Sequence, residues 1–261
     1  NKEIDIRNSL KQICKKTWIY LEEHTALESV LFAVDLLESD PLFNAGTGSK
    51  LQNDGRIRMS AGLMDGDRQK FSAIVNIQNV EHPIEIASYI LNEKHTMIAG
   101  DKATEFSRKN GFPQYNPLIE KRWEEFLKKE KGETGTVGAV ILDANGKIAA
   151  GTSTGGIGGE TPGRMSDSAT VAGNYANAFA GVSATGIGEE IVNDGVAVKI
   201  VTRVTDGLSL KDAVIKTINE AKERKHRYGV ICLSNKGEIE VDKTTDSIFY
   251  ASHDGTSIKT F

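Results

Sequence analysis

At Gly135-Thr136 the chain changes character within two residues. Upstream, Glu120 to Glu133 is dense in Lys and Glu, has no glycine before Gly132, and reads as a charged helix that frays into a linker. Downstream, Thr136-Val137-Gly138-Ala139-Val140-Ile141-Leu142 is apolar and β-branched, Asp143-Ala144-Asn145-Gly146 supplies turn chemistry, and Lys147 to Thr154 continues as a second strand. Asn145-Gly146 between two such runs is a strong hairpin signal. The pattern returns in Tyr228 to Leu233, Ser234-Asn235-Lys236-Gly237 and Glu238 to Val241. The second half must therefore hold two hairpins with helical segments between them, from about Gly188 to Thr205 and from Leu210 to Arg224.

The first half has a different texture. Leu10, Ile13, Cys14, Trp18 and Leu21 recur at spacings of three and four and predict an amphipathic helix from about Ile4 to Glu23. A second helix, Ala26 to Glu38, carries Leu27, Val30, Leu31, Val34 and Leu37 on one face and ends at Asp40-Pro41. Phe43 to Ser49 is a loop of small residues; Arg58 to Gly66 and Phe71 to Ile77 read as successive strands; Pro83–Asn92 and Lys102–Asn110 read as helices. Helices and mostly antiparallel hairpins, grouped rather than strictly alternating, indicate an α+β layered sandwich. Neither half has enough strands to close a core alone. Gly135-Thr136 is therefore a junction inside one fold, between residues 1–135, with a linker over about 112–135, and residues 136–261.

A formal net charge of -4 argues against a nucleic-acid or membrane-surface protein. The basic cluster Lys222 to Arg227 is short, broken by Glu223, and reads as a solvated helix end. No apolar run is long enough to span a membrane. Cys14 and Cys232 are too far apart in sequence for a disulfide framework or a cysteine zinc site and read as buried thiols, a usage that points to the cytoplasm. The sequence starts at Asn1 rather than Met, which is compatible with a removed signal peptide. The histidines show no metal-ligand spacing, and no P-loop is present. Gly186-Ile187-Gly188 before a helix is at most a weak anion cradle.

Threonine and glycine are concentrated in one stretch: Thr136, Thr152, Thr154, Arg164, Asp167, Thr185, Gly186 and Gly188. Each has a bland alternative, since threonine suits strands, glycine suits turns, and Arg164 with Asp167 would make an ordinary surface ion pair. In combination they resemble a known family. Leu37-Glu38-Ser39-Asp40-Pro41-Leu42-Phe43-Asn44-Ala45-Gly46, Gly135-Thr136-Val137-Gly138-Ala139-Val140, Thr152-Ser153-Thr154-Gly155-Gly156 with Gly163-Arg164-Met165-Ser166-Asp167-Ser168, and Ser183-Ala184-Thr185-Gly186-Ile187-Gly188-Glu189 are similar, in order and spacing, to blocks of the plant-type asparaginase and isoaspartyl-peptidase family of N-terminal-nucleophile hydrolases. Met64-Asp65-Gly66 fits as well.

The resemblance implies a four-layer αββα sandwich and a precursor that cuts itself between Gly135 and Thr136 into two subunits that stay together. The chemistry makes sense of the cut. A threonine hydroxyl is a poor nucleophile without a base, an amide nitrogen is not one, and a freed α-amine with a pKa of about 7.7–8.0 is. By the same resemblance Thr154 orients Thr136, while Thr185 and the Gly186 N–H form the oxyanion hole. Arg164 grips a substrate α-carboxylate, Asp167 with the Gly188 carbonyl takes its α-ammonium, and Asn44 lies near the scissile bond. The carbonyls of Leu37, Glu38, Asp40, Phe43, Ala45 and Thr47 would ligate sodium (or potassium), as hard oxygens suit a hard cation. No organic cofactor is implied. The expected substrates are β-aspartyl dipeptides and L-asparagine, and the expected assembly is a dimer of processed heterodimers.

The sequence also departs from the pattern. The family's opening strand ending in His-Gly-Gly is not found before Asn1, its paired C-terminal glycines are reduced to Gly229 after Arg227-Tyr228, and Asp242-Lys243-Thr244 lacks the usual apolar residue. Rival readings are a glycosylasparaginase, an unprocessed non-catalytic homologue that binds amino-acid-like ligands through Arg164 and Asp167, and a phosphate-binding module built on Gly186-Ile187-Gly188. Gly135 before the nucleophile and Thr154-Gly155-Gly156 after it favour the asparaginase branch.

Overall fold

Local chemistry sets the first elements. Helix α1 spans Lys2–Leu21, and Thr25 then caps α2, Ala26–Ser39, in a reciprocal capping box with Glu28. Val30, Val34 and Leu37 of α2 are buried, each contributing roughly 1.5–3 kcal/mol of transfer free energy. The computed structural model describes residues 2–129 and 135–261, so residues 130–134 of the expected linker lie outside the described residues. The elements that follow are β1 (Met59–Asp65), β2 (Lys70–Ile77), α3 (Pro83–Ile90), β3 (Met97–Ala99), α4 (Gly100–Lys109) and α5 (Glu120–Leu127). After the junction come β4 (Val137–Leu142), β5 (Ile148–Thr154), a 3-10 turn at Asp167–Ala169, β6 (Asn174–Ala176) and β7 (Ala180–Gly186). Helices α6 (Gly188–Asp194), α7 (Val196–Thr205) and α8 (Leu210–Arg224) lead to β8 (Tyr228–Ser234), β9 (Ile239–Lys243), β10 (Ala251–His253) and β11 (Ile258–Thr260).

The strands form an α+β arrangement of three sheets with the orders β3-β2-β1-β5-β4, β6-β7-β8-β9 and β10-β11. Both halves of the chain contribute to the first sheet, as β1 pairs antiparallel with β5 across the junction. Helices α2 and α3 pack against the first sheet, α7 and α8 against the second, and β4 and β5 touch β6, β7 and β8. Strands β1 and β5 are buried at every position, which is what a strand covered on both faces requires. Gly151 lets α2 approach β5, since a Cβ there would lie 2.7 Å from a Val30 methyl.

Strands β6 and β7 correct the sequence expectation of two hairpins with only helices between them, because their small residues show no clear alternation, and three smaller details also differ. The helical run from Gly188 to Thr205 is two helices, broken at Gly195, whose left-handed φ of +58° ends α6. Strand β3 pairs parallel to β2, and β10–β11 make a small sheet against α1, where Trp18 stacks on His253. Cys14 is half-buried rather than buried, although Cys232 is buried and both are free.

Candidate active site

The β4–β5 register opposes Gly138 to Thr152 and Val137 to Ser153, so one residue further Thr136 comes opposite Thr154. Their hydroxyls lie 3.3 Å apart. Side chains alternate along a strand, so Thr152 and Thr154 share one face of β5 while Ser153 points to the other, where it bonds the buried carboxylate of Glu38. The first face meets β7. Thr152 Oγ1 is 2.7 Å from Ser183 Oγ, and a Cβ on Gly138 would sit 2.0 Å from the same oxygen. Thr185, two residues beyond Ser183, faces the same way. Strands β4, β5 and β7 thus bring Thr136, Thr154 and Thr185 to one end of the inter-sheet space.

Gly186 follows with φ +149°, and a Cβ there would lie 2.5 Å from both the Arg227 carbonyl and Tyr228 Cα. Only glycine fits. Tyr228, which stands where a glycine was expected, is fully buried, and its hydroxyl donates to Asp194 at 2.9 Å. Burial and this carboxylate push the phenol well above its ordinary range.

Asn44 is placed by its own loop. Its carbonyl accepts from Gly155 N–H at 2.8 Å, its Nδ2 donates to the Gly156 carbonyl at 2.6 Å, and its Oδ1 accepts from Lys50 N–H at 2.9 Å. A Cβ on Gly135 would lie 2.9 Å from Asn44 Cβ, so this residue is packed against the junction. Gly156 N–H donates in turn to Thr154 Oγ1 at 3.2 Å, which ties the Asn44 loop to the threonine pair.

Arg164, Asp167 and Gly188 also converge. A Cβ on Gly188 would be 2.8 Å from both Arg164 Nη2 and Asp167 Oδ1. The alternative of an ordinary Arg164–Asp167 ion pair on the surface is corrected here. Arg164 instead makes a two-pronged bond to Glu189, Nε to Oε1 at 2.7 Å and Nη2 to Oε2 at 2.8 Å, and Asp167 is only 3% exposed. Asp167 Oδ1 accepts from Ser166 Oγ at 3.1 Å, while Oδ2 is buried with no partner among the described residues. Burial raises the Asp167 carboxyl to about 6, against the Ser166 bond and the Arg164 charge. The four-residue path from Thr185 to Gly188 joins this charged cluster to the threonine cluster.

The loop expected to hold a cation is closed by its own bonds. Thr47 N–H donates to the Glu38 carbonyl at 2.7 Å, Phe43 N–H to Asp40 at 3.1 Å, and Asp40 N–H to Leu37 at 3.4 Å. Each of these three carbonyls keeps a second lone pair, and oxygen donors of this kind are chemically suited to a hard cation, although the Phe43 carbonyl already accepts from Arg122. Among the described residues no group of acidic, His or Cys side chains is arranged to hold a metal. Sequence reasoning missed Arg122 of α5. Its buried guanidinium donates to the Gly48 carbonyl at 2.6 Å, to Glu125 at 2.8 Å and to the Phe43 carbonyl at 3.5 Å, and so clamps α5 onto the Asn44 loop. Its position in a Lys/Glu-rich helix gave no sign of this. Glu189 carried a better signal, as it closes the Ser183 to Glu189 block.

The asparaginase family model matches residues 1–134 and 128–261. This chain belongs to that family. Among family relatives, an isoaspartyl peptidase/L-asparaginase of Synechocystis sp. is 43% identical over 274 residues, covering 97% of this chain and 83% of that protein. A plant-type L-asparaginase of Pyrococcus abyssi is 35% identical over 260 residues, covering 90% of this chain and 85% of that protein. The isoaspartyl peptidase/L-asparaginase of Bos taurus is 35% identical over 245 residues, covering 87% and 80% respectively. No helix among the described residues is long and apolar enough to cross a membrane.

Proposed function

We propose that this member of the asparaginase family is an autoprocessing threonine hydrolase that cleaves β-aspartyl dipeptides and the side-chain amide of L-asparagine. The observation that carries it is the Thr136–Thr154 hydroxyl pair at 3.3 Å, at the junction where the chain would be cut, with the Arg164–Asp167–Gly188 cluster three residues along the chain from Thr185. In the precursor, Thr136 Oγ attacks the Gly135 carbonyl carbon, the acyl group moves from nitrogen to oxygen, and water hydrolyses the ester, freeing the α-amine of Thr136. Asn44, packed against Gly135, would steady the carbonyl. In turnover that amine takes the Thr136 hydroxyl proton as the oxygen attacks the substrate amide carbon. Thr185 Oγ1 and Gly186 N–H stabilise the oxyanion. The proton passes to the leaving nitrogen, which departs as ammonia or an amino acid, and water releases L-aspartate from the acyl-enzyme.

Arg164 suits the α-carboxylate, because a planar fork matches two oxygens, and the unpartnered Oδ2 of Asp167 suits the α-ammonium. The contacts of the helices with the sheets, and of the sheets with one another, support a four-layer αββα stack. Sodium or potassium on the carbonyls of Leu37, Glu38, Asp40, Phe43, Ala45 and Thr47 would hold the Asn44 loop. A dimer of processed heterodimers in the cytoplasm completes the proposal, with the two free thiols supporting that compartment.

The test is kcat/KM of the processed protein on a β-aspartyl dipeptide and on a glycosylated asparagine. Both carry the α-carboxylate and α-ammonium, so only the leaving group differs. Preference for the dipeptide is expected; preference for the glycosylated substrate assigns the chain to glycosylasparagine hydrolysis instead.

A further inference from the structure

We propose that Glu189 is a positioning residue that holds Arg164 by one edge and keeps it apart from Asp167, so that the two subsite charges stay available to a zwitterionic substrate. The inference rests on the substrate assignment above. A guanidinium has five N–H donors on two usable edges. Glu189 takes the side edge, Nε and one Nη2 hydrogen. The end edge remains, formed by Nη1 and the second Nη2 hydrogen, and Nη1 has no partner among the described residues. Two parallel N–H bonds on that edge fit an α-carboxylate.

The second part of the role follows from Gly188. Arg164 Nη2 and Asp167 Oδ1 both lie 2.8 Å from the point where a Gly188 Cβ would stand. An unheld Arg164 this close to an acid, one of whose oxygens is buried and unpartnered, would pair with it, and the subsite would lose both of its charges together. The Glu189 carboxylate prevents this by binding Arg164 from the α6 side, where Glu189 is the first residue after Gly188. The ionisation of the pair agrees with the geometry: Glu189 is held below its ordinary range, chiefly by the Arg164 bond, and Arg164 is raised chiefly by the same bond.

The test measures the affinity for L-aspartate by calorimetry, and kcat and KM for L-asparagine, on processed wild type, E189Q, R164A and the double variant. Replacing Glu189 by Gln keeps the shape and removes the charge. Expected is a loss of about tenfold or more in L-aspartate affinity and a matching rise in KM, the range of one charge-assisted hydrogen bond, with kcat within about twofold and self-cleavage complete. In the R164A background the same change should add nothing, because Glu189 acts only through Arg164. Glu189→Asp, which keeps the charge on a shorter arm, should lose less, and it carries the test if E189Q does not fold. Unchanged or tighter binding in E189Q would overturn the proposal, since Glu189 would then be idle or a competitor for the fork. An additive loss in the R164A background would also overturn it. Wild type that neither binds L-aspartate nor turns over L-asparagine would instead refute the substrate assignment itself.

Discussion

The hydroxyls of Thr136 and Thr154 face each other across the β4–β5 ladder, 3.3 Å apart. At that separation the bond is long for two hydroxyls, and with Thr136 as donor its oxygen lone pairs are left free, as the proposed nucleophilic role requires. Thr154→Val keeps the shape and removes this partner. Self-cleavage and turnover should both slow, since both use the same oxygen. Time-resolved gels and steady-state rates check it, and a variant that slows only one of the two would show that Thr154 does not act on the Thr136 hydroxyl.

Thr185 faces the inter-sheet space by strand period, two residues from the Ser183–Thr152 bond. Thr185→Val should reduce kcat by about 10²–10³ while KM changes less, as expected when an oxyanion donor is lost. Steady-state kinetics on L-asparagine check it.

The proposed role of Asp167 as partner of the substrate α-ammonium predicts a pH dependence of binding. Its carboxyl sits at about 6, raised by burial, so as pH falls through about 6 it protonates and can no longer pair with an α-ammonium. KM for L-asparagine should therefore rise with acidification through this range. On the proposed mechanism, loss of kcat in the neutral range should have a separate origin in the freed Thr136 α-amine, with a pKa of about 7.7–8.0. Asp167→Asn should give a KM that is high and nearly flat with pH.

Glu38 provides a stability test away from the chemistry. It is wholly buried, and burial pushes its carboxyl from 4.5 to about 7 against the His82 ring, whose Nδ1 lies 3.6 Å away, and the bonds from Ser153 Oγ and the Ile84 N–H. A folded-state pKa above the unfolded one means that the folded state holds the proton more tightly. This contribution is full below about pH 4.5 and is lost as pH rises through about 7. Melting temperature should fall over that interval, and Glu38→Gln should flatten the fall. Asp167 has the same sign near pH 6, so part of the slope should remain.

Much of this was legible in the sequence because it rests on local patterns. The Asn145-Gly146 turn, the α2 stripe ending at Asp40-Pro41, and the second hairpin are all local signals, and the elements formed where those signals lie. Strand β3 escaped notice because its three residues, Met97 to Ala99, are too few to show a period, and the α6–α7 break because an isolated glycine in a helical pattern is ordinary. At the site, it was the resemblance of the four sequence blocks, rather than any one residue, that pointed to Thr136, Thr154, Arg164, Asp167 and Gly188. What they could not convey was pairing at a distance. Ser153 with Glu38, Thr152 with Ser183, and Arg122 with the Gly48 carbonyl join residues far apart in sequence and depend on register. The Arg164–Glu189 fork is of the same kind, because a charge on a helix N-terminus has many routine explanations.

The most direct measurement is the intact mass of the purified wild type and of Thr136→Ala after prolonged incubation. Wild type should resolve into two species, one ending at Gly135 and one beginning at Thr136, with activity appearing as the second forms. Thr136→Ala should remain a single inactive chain. A Thr136→Ala chain cut at the same bond, or an uncut wild type that hydrolyses L-asparagine, would contradict Thr136 as the nucleophile.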